Sequence, residues 1–315
     1  MKKIGGFLGL ELPFSYYSPS HKTLALTSGR SCLNFILREI RPKRVYVPFF
    51  SCPALIEPLR YNKVSFSYYR LDKCLNPCLS EPLGAQEYLI YINYFGIKRS
   101  TVDALLAKFG DKVIVDNAQA FYEDNSGSWA FNSARKFFGV PDGAFLYSPR
   151  KIKSGLKPNT DIHVDYLINR LIGKQEMAYR QFIRSERKVT LQLRGISEIS
   201  LRILKTVNFI EIADKRRKNF LFLHQRLKKL NNFKFDLASK SVPLCYPFFP
   251  EREIDKAILH KNGIFVPTYW KLAADGRLPD FEMSFVRRLL PLPIDQRYGM
   301  REMMFIADKV CRLLT

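Results

Sequence analysis

From Val113 to Gly143 the chain reads VIVDNAQAFYEDNSGSWAFNSARKFFGVPDG. It opens with three β-branched apolar residues, the composition of a short parallel strand buried on both faces. Asp116 ends that run, and the small residues Ala118 and Ala120 follow closely. In open α/β sheets the carboxyl ends of parallel strands line the ligand crevice, which places this acid where it can bind. Further along comes Lys136, flanked by Arg135 and by Phe137 and Phe138. Each residue alone has an ordinary reading, since an acid just past a strand commonly caps a turn and a lysine commonly faces solvent. As a pair they meet the two needs of pyridoxal 5'-phosphate (PLP): a lysine for its Schiff base and an acid to keep its pyridine nitrogen protonated.

The flanking segments alternate between strand and helix. LALTSGRSCLNFILREIRP reads as a turn at Ser28-Gly29 and then a helix with the apolar stripe Leu33, Ile36, Leu37 and Ile40, ended by Pro42. The start of that helix is a candidate anion cradle, because its first N–H groups and its positive dipole end face outward. RVYVPFFSC, KVSFSYYRLD and EYLIYINYFG read as strands, with DALLAKFG as a connecting helix before VIVDNAQAF. This is the rhythm of βαβ units, and it predicts an α/β fold with a mixed, mostly parallel sheet flanked by helices. FFGVPDGAFLYS gives a turn and a short strand. A long amphipathic helix is predicted around Ile203–Leu230, carrying Ile210, Ala213, Phe220, Leu223 and Leu227. VPLCYPFFP, GIFVPTYW and LLPLPI are expected as strands and REMMFIADKVCRLL as a closing helix. The expected division is a large domain, 1–205, and a smaller α+β C-terminal domain, 206–315.

Composition sets the outer limits. The 315 residues are 47% hydrophobic and 14% aromatic, ample for a globular core. Six cysteines follow no disulfide or zinc pattern, so reduced thiols in a cytoplasmic protein and no metal site are expected. Glu11 and Pro13 interrupt the apolar start before it could form a signal-peptide core, and no run is long enough for a membrane span. The net charge is +22, and much of it lies between Arg150 and Leu230. Leu167, Leu171, Met177, Ile183 and Leu191 are phased among these basic residues as on amphipathic helices. A surface for polyanions, membranes or acidic substrates and plain solvated helix faces are both compatible with that charge. No nucleic-acid motif accompanies it.

VIVDNAQAF and FNSARKFFGVPDGAF resemble the core of the DegT/DnrJ/StrS sugar aminotransferases, PLP enzymes of the type I (aspartate aminotransferase) fold. GGFLGLELP near the start, TSGRSCL at 27–33, YVPFFSCPA at 46–54, INYFG at 92–96, IADKRRKNFLFL at 212–223 and LLPLPIDQRYG at 289–299 match in family order. Residues 160–200 match least. The resemblance identifies the chain as a divergent member and implies that Lys136 forms the Schiff base and shuttles a proton. Arg135 and partial burial are expected to favour its neutral amine. It further implies Asp116 at the pyridine nitrogen, Gln119 against the ring or its phenolic oxygen, and Gly29, Arg30 and Ser31 at the phosphate.

Ser133 is a further phosphate candidate, with Asn132 as its rival, because the usual family serine falls on Phe131. The aromatic residue that stacks on the cofactor falls on or near Cys52, with Phe49 or Phe50 as substitutes. A partner-subunit asparagine-arginine loop has no clear match, Asn159 being the nearest guess. Tyr16, Tyr17, Tyr269 and Trp270 are candidate specificity residues by their polar-aromatic character. The implied reaction moves an amino group, from glutamate, to a keto sugar carried on a nucleotide, in polysaccharide biosynthesis, at a homodimer's shared site. A non-sugar ketone as acceptor and a non-catalytic, polyanion-binding member of the fold are the alternatives.

Overall fold

The structure, a computed structural model, describes residues 10, 12, 23–79, 81–123, 127–153, 155–235, 237–270 and 278–314. Its strands in chain order are β1 (Thr23–Leu26), β2 (Arg44–Pro48), β3 (Ser65–Leu71), β4 (Pro77–Cys78), β5 (Glu87–Ile92), β6 (Val113–Asn117), β7 (Trp129–Asn132), β8 (Ala144–Tyr147), β9 (Cys245–Phe248) and β10 (Leu290–Pro293). The first eight form one sheet in the order β1-β8-β7-β6-β5-β2-β3-β4. β3, β2, β5, β6 and β7 pair in parallel. β8 runs against both β7 and β1, so β1 points the same way as the parallel strands. Its carboxyl end therefore lies at the same edge of the sheet as those of β5, β6 and β7. The expected mixed, mostly parallel sheet is present, and Val113, Ile114 and Val115 are buried at its centre as their composition requires.

The helices are α1 (Gly29–Ile40), α2 (Pro53–Tyr61), α3 (Arg99–Phe109), α4 (Asp165–Leu171), α5 (Gln175–Arg187), α6 (Glu198–Thr206), α7 (Phe209–Leu227), α8 (Lys256–Lys261), α9 (Asp280–Arg288) and α10 (Met300–Leu314), of which α1, α2, α3 and α9 pack on the large sheet. α1 buries Cys32, Leu33, Phe35, Ile36 and Leu37 and is capped by Ser28, whose Oγ accepts the Ser31 N–H at 3.2 Å. It ends one residue before Pro42, at a left-handed Arg41 whose N–H returns to Leu37 O.

Three expectations change. The predicted helix over Ile203–Leu230 is two helices, α6 and α7, parted at Val207 and Asn208, where Asn208 caps the second by accepting the Glu211 N–H. GIFVPTYW contains no strand; β9 pairs with β10 directly, in an antiparallel pair. The amphipathic phasing over Leu167–Leu191 is broken by Gly173, at φ 82°, which turns the chain between α4 and α5. With the phase reset, Leu171 is 86% exposed, and Ile168, Ile172, Met177, Tyr179 and Phe182 are exposed with it.

One apolar core runs from the large sheet into the segments that carry β9, β10 and α10. Phe50, fully buried, packs against Tyr94, Trp270 and Phe285 with ring centroids 4.9–5.8 Å apart. The C-terminal segments thus rest on the loops at the carboxyl edge of the sheet, which is where Asp116 and Lys136 lie.

Candidate active site

The carboxyl ends of β5, β6 and β7 are locked in register, with Asp116 opposite Ile92 on one side and Phe131 on the other. The Asp116 carbonyl accepts the N–H of Asn93 at 3.0 Å, and its Oδ1 accepts the Ala118 N–H at 2.8 Å. Burial raises the Asp116 pKa above the usual carboxylate value, while the charge of Lys136 and the Ala118 N–H pull against it. The two predicted residues lie at or just past neighbouring strand ends, within electrostatic reach of each other.

Lys136 closes a short turn, Ala134–Lys136, directly after β7. The turn is tied to α1 by backbone bonds in series, Ala134 N to Gly143 O at 3.0 Å and Gly143 N to Thr27 O at 2.8 Å. Gly143 sits at φ 126°, backbone that favours glycine. The partial burial expected of Lys136 is not found, because its side chain is exposed in the single chain. Nor is Arg135 a bare neighbouring charge. It pairs with Glu186 on α5 at 2.5 Å and lies over the Phe182 ring.

At the start of α1, Ser31 is buried and committed to the protein. Its N–H bonds the Ser28 Oγ, and its hydroxyl lies 2.9 Å from Thr27 Oγ1 and 3.2 Å from the Gln192 carbonyl. The Arg30 side chain is taken by Glu57 at 2.7 Å. What the helix offers an anion are the N–H groups of Gly29 and Arg30, which have no acceptor within the helix. The Phe131 ring packs against Gly29, where a Cβ would meet it at 3.3 Å. Ser133 is half-buried, and its hydroxyl has no partner among the described residues. Asn132 is used up: its Oδ1 accepts the Phe145 N–H and its Nδ2 reaches Phe121 O and Tyr147 Oη. Asn159 likewise serves the fold, bonding Asp142 and the carbonyl of Asp161.

Gln119 is 1% exposed, and its Oε1 accepts the Phe95 N–H at 2.6 Å. This bond holds a turn in which Phe95 takes φ 58° and Gly96 φ 73°. Among the described residues the Nε2 of Gln119, the Nδ2 of Asn93 and the Oγ of Ser51 are buried without a hydrogen-bond partner. All three belong to loops at the carboxyl edge of the sheet. Buried polar atoms left over at one edge are what a site completed by a polar ligand would show.

Of the aromatic candidates, Phe50 belongs to the core and Phe49 stacks on Tyr68 at 4.9 Å. Tyr269 stacks on Trp270 and on Phe95, and Trp270 packs at a tilt on Phe50, as packing residues. Tyr16 and Tyr17 lie outside the described residues. A cavity of about 230 Å³ opens beside the lysine turn, lined by Thr27, Arg135, His163, Lys188 and Arg194 and also by Asp142 and Asp161. The Asp142 carboxylate is bonded to the hydroxyls of Ser197 and Ser200. Among the described residues no group of His, Cys, Asp and Glu could hold a metal ion, and no helix is long and apolar enough to cross a membrane.

No protein-family model and no curated protein sequence matches the chain. Solved structures do. The sugar aminotransferase CalS13 from Micromonospora echinospora is 15% identical, with a TM-score of 0.62 over 91% of this chain and 86% of that one. The chain has the fold of the sugar aminotransferases. A DegT/DnrJ/EryC1/StrS aminotransferase from Brucella abortus is 18% identical, with a TM-score of 0.63 over 92% of this chain and 85% of its own. A candidate sugar aminotransferase from Streptococcus pneumoniae, Spr1654 in its PLP form, gives 14%, 0.61, 93% and 86%.

Two residues beside the turn escape sequence reading. Arg216 lies in the KRRK run of α7 and reads as a solvated charge, yet it is 2% exposed. Gln296 follows β10, and its Nε2 donates to the Phe137 carbonyl at 2.7 Å. Nothing local in the sequence separates Arg216 from its charged neighbours except its phase with Phe220, Leu223 and Leu227 on the buried stripe of the helix.

Proposed function

We propose that this chain is a PLP-dependent aminotransferase acting on a keto sugar. The observation that carries the reading is the Asp116–Lys136 pair at the carboxyl ends of β6 and β7, with the lysine charge acting on the acid. The residues fit the cofactor. Lys136 offers an accessible amine, Asp116 a carboxylate for the pyridine nitrogen, and Gln119 a buried amide donor that the protein leaves unpaired. The N–H groups of Gly29 and Arg30, with the Ser133 hydroxyl, would receive the phosphate.

PLP, when bound, supplies the electron sink that lets an amino acid lose its α-proton. Asp116 would hold the pyridine nitrogen protonated, and for that it must be ionised when the cofactor is seated. Lys136 would anchor the cofactor through its amine. Once displaced by an amino donor such as glutamate, the free amine would carry the proton from the donor's α-carbon to the cofactor's C4′, and with the keto acceptor it would carry one from C4′ to the acceptor carbon. Arg135, neutralised by Glu186, leaves the turn without a competing free cation next to the lysine.

The acceptor we assign is a keto sugar carried on a nucleotide diphosphate. Support comes from Lys188 and Arg194, which line the cavity beside the turn, and from the net charge of +22. We also assign a homodimer, supported by the exposed apolar side chains of α4 and α5 next to the site.

The test is the visible spectrum of the protein reconstituted with PLP, followed by borohydride reduction and peptide mapping. The expected result is a yellow chromophore, bleached by glutamate, with the reduced label on Lys136. A colourless protein, or a label on another lysine, would remove the assignment.

A further inference from the structure

Arg216 is an expensive residue to bury. Its guanidinium bonds only neutral acceptors among the described residues: Gln296 Oε1 at 3.0 Å, Leu244 O at 3.2 Å and Pro243 O at 3.4 Å. Burial pushes its pKa down to about 10, against the opposing pull of Asp295, so it is still charged at neutral pH. The guanidinium lies over the Phe137 ring, 4.6 Å from its centroid. Phe137 directly follows Lys136. The Gln296 amide has two roles, its Oε1 accepting from Arg216 and its Nε2 donating to the Phe137 carbonyl. Ring and carbonyl of the residue after the lysine are thus both gripped from the C-terminal segments. On the other side the turn is fixed by the backbone bonds of Ala134 and Gly143.

We propose that Arg216 and Gln296 are positioning residues, which clamp Phe137 by its ring and its carbonyl and so present the Lys136 amine to Asp116. Neither touches the reacting atoms. The clamp costs a buried charge; besides tying α7 to the Pro243 and Leu244 carbonyls, it fixes the direction of one turn, the one that carries the lysine. The proposal rests on Lys136 being the reactive amine of the site, but its test does not need the cofactor.

The experiment is competitive acylation of the cofactor-free protein at pH 8, read lysine by lysine by mass spectrometry, with exposed Lys228 as internal reference. Gln296→Glu keeps an acceptor for Arg216 and replaces the donor to Phe137 O by a second acceptor. Arg216→Lys keeps a cation near the ring and loses the fork that links it to Gln296. Each is expected to change the Lys136 rate, relative to Lys228, at least threefold, with the rates of other lysines unchanged. The change is expected to vanish when Asp116→Asn is already present, because the clamp acts by aiming the amine at that carboxylate.

A Lys136 rate like that of the wild type in either folded variant overturns the proposal. So does a change that persists undiminished in the Asp116→Asn background. If both variants fail to fold, the pair is purely structural and the proposal falls as well. Failure of the wild type to take PLP on Lys136 would sink the aminotransferase reading while leaving this comparison decisive for the clamp.

Discussion

Replacing Gln119 by Met tests what that side chain does in the protein before any ligand arrives. Its Oε1 is the acceptor for the Phe95 N–H at 2.6 Å, and Phe95 is fully buried at φ 58°. Methionine fills a similar volume and offers no comparable acceptor, so a backbone donor is stranded in the core at about 1–3 kcal/mol. The same change removes an amide nitrogen that is already buried without a partner, which returns about 1 kcal/mol. The net loss expected for the cofactor-free protein is about 1 kcal/mol, the middle of a range from about 0 to 2 kcal/mol. With a urea slope of about 3 kcal/mol/M this lowers the unfolding midpoint by about 0.3 M at unchanged slope. In the PLP-loaded protein the loss should be larger, because the substitution also deletes the donor assigned to the cofactor. A midpoint within about 0.1 M of the wild type in the free protein would refute the reasoning, since the Phe95 turn would then not depend on Gln119.

Three further outcomes are expected. Gly96→Ala should cost about 2–3 kcal/mol in chemical unfolding, because the residue sits at φ 73° and a Cβ would lie 2.7 Å from the Gln119 carbonyl oxygen; a loss below about 0.5 kcal/mol would contradict it. Asp116→Asn should weaken PLP binding at least tenfold at pH 7.5 by fluorescence titration. Since burial raises the Asp116 pKa, wild-type affinity for PLP should begin to fall on acidification above the usual carboxylate range, and the variant should lack this step. Asp295 is half-buried, which by itself raises its pKa, but three bonds from Arg297, two from its guanidinium and one from its N–H, and the charges of Arg297 and Arg216 more than offset this and lower it. Its contribution to stability is therefore complete above the unfolded carboxylate pKa of about 4 and is lost as the pH falls through the lower folded value. The gap in melting temperature between wild type and Asp295→Asn should close over that range, and a gap constant from pH 6 to pH 2 would disprove the linkage.

The large sheet was legible because its strands announce themselves locally. Val113-Ile114-Val115 is a buried parallel strand by composition, and the Ser28-Gly29 turn with the stripe of α1 shows a capped helix in the same way. Asp116 and Lys136 were paired from what PLP requires of an acid and a lysine, and they lie at or just past the ends of β6 and β7, strands adjacent in the sheet. Less local facts did not follow. Whether a serine near a helix start is free depends on what covers it, and Ser31 is covered by the Gln192 carbonyl from a distant segment. Whether a lysine is buried depends on the loops around it, and Lys136 stays exposed in the single chain. The basic helices misled because one glycine, Gly173, reset the phase on which the amphipathic reading relied. Arg216 was hidden because charge patterning cannot show which member of a KRRK run turns inward.

The pairing of β1 with β8 also bears on how the chain is made. Thr23 lies opposite Tyr147 and Leu26 opposite Ala144, so among the described strands the partner of β1 is the last of the large sheet to leave the ribosome. The parallel strands between them can assemble in the meantime. At a synthesis rate of about 5–20 residues per second, β1 spends several seconds as an apolar segment with an open hydrogen-bonding edge. The start of α1 and the lysine turn are joined through Thr27 and Gly143 on either side of that same pairing. A nascent chain stalled before β8 would therefore carry a nearly complete sheet with a sticky, unpaired first strand and no assembled site. Such a stalled chain is the form in which chaperone dependence and aggregation of this protein should be looked for.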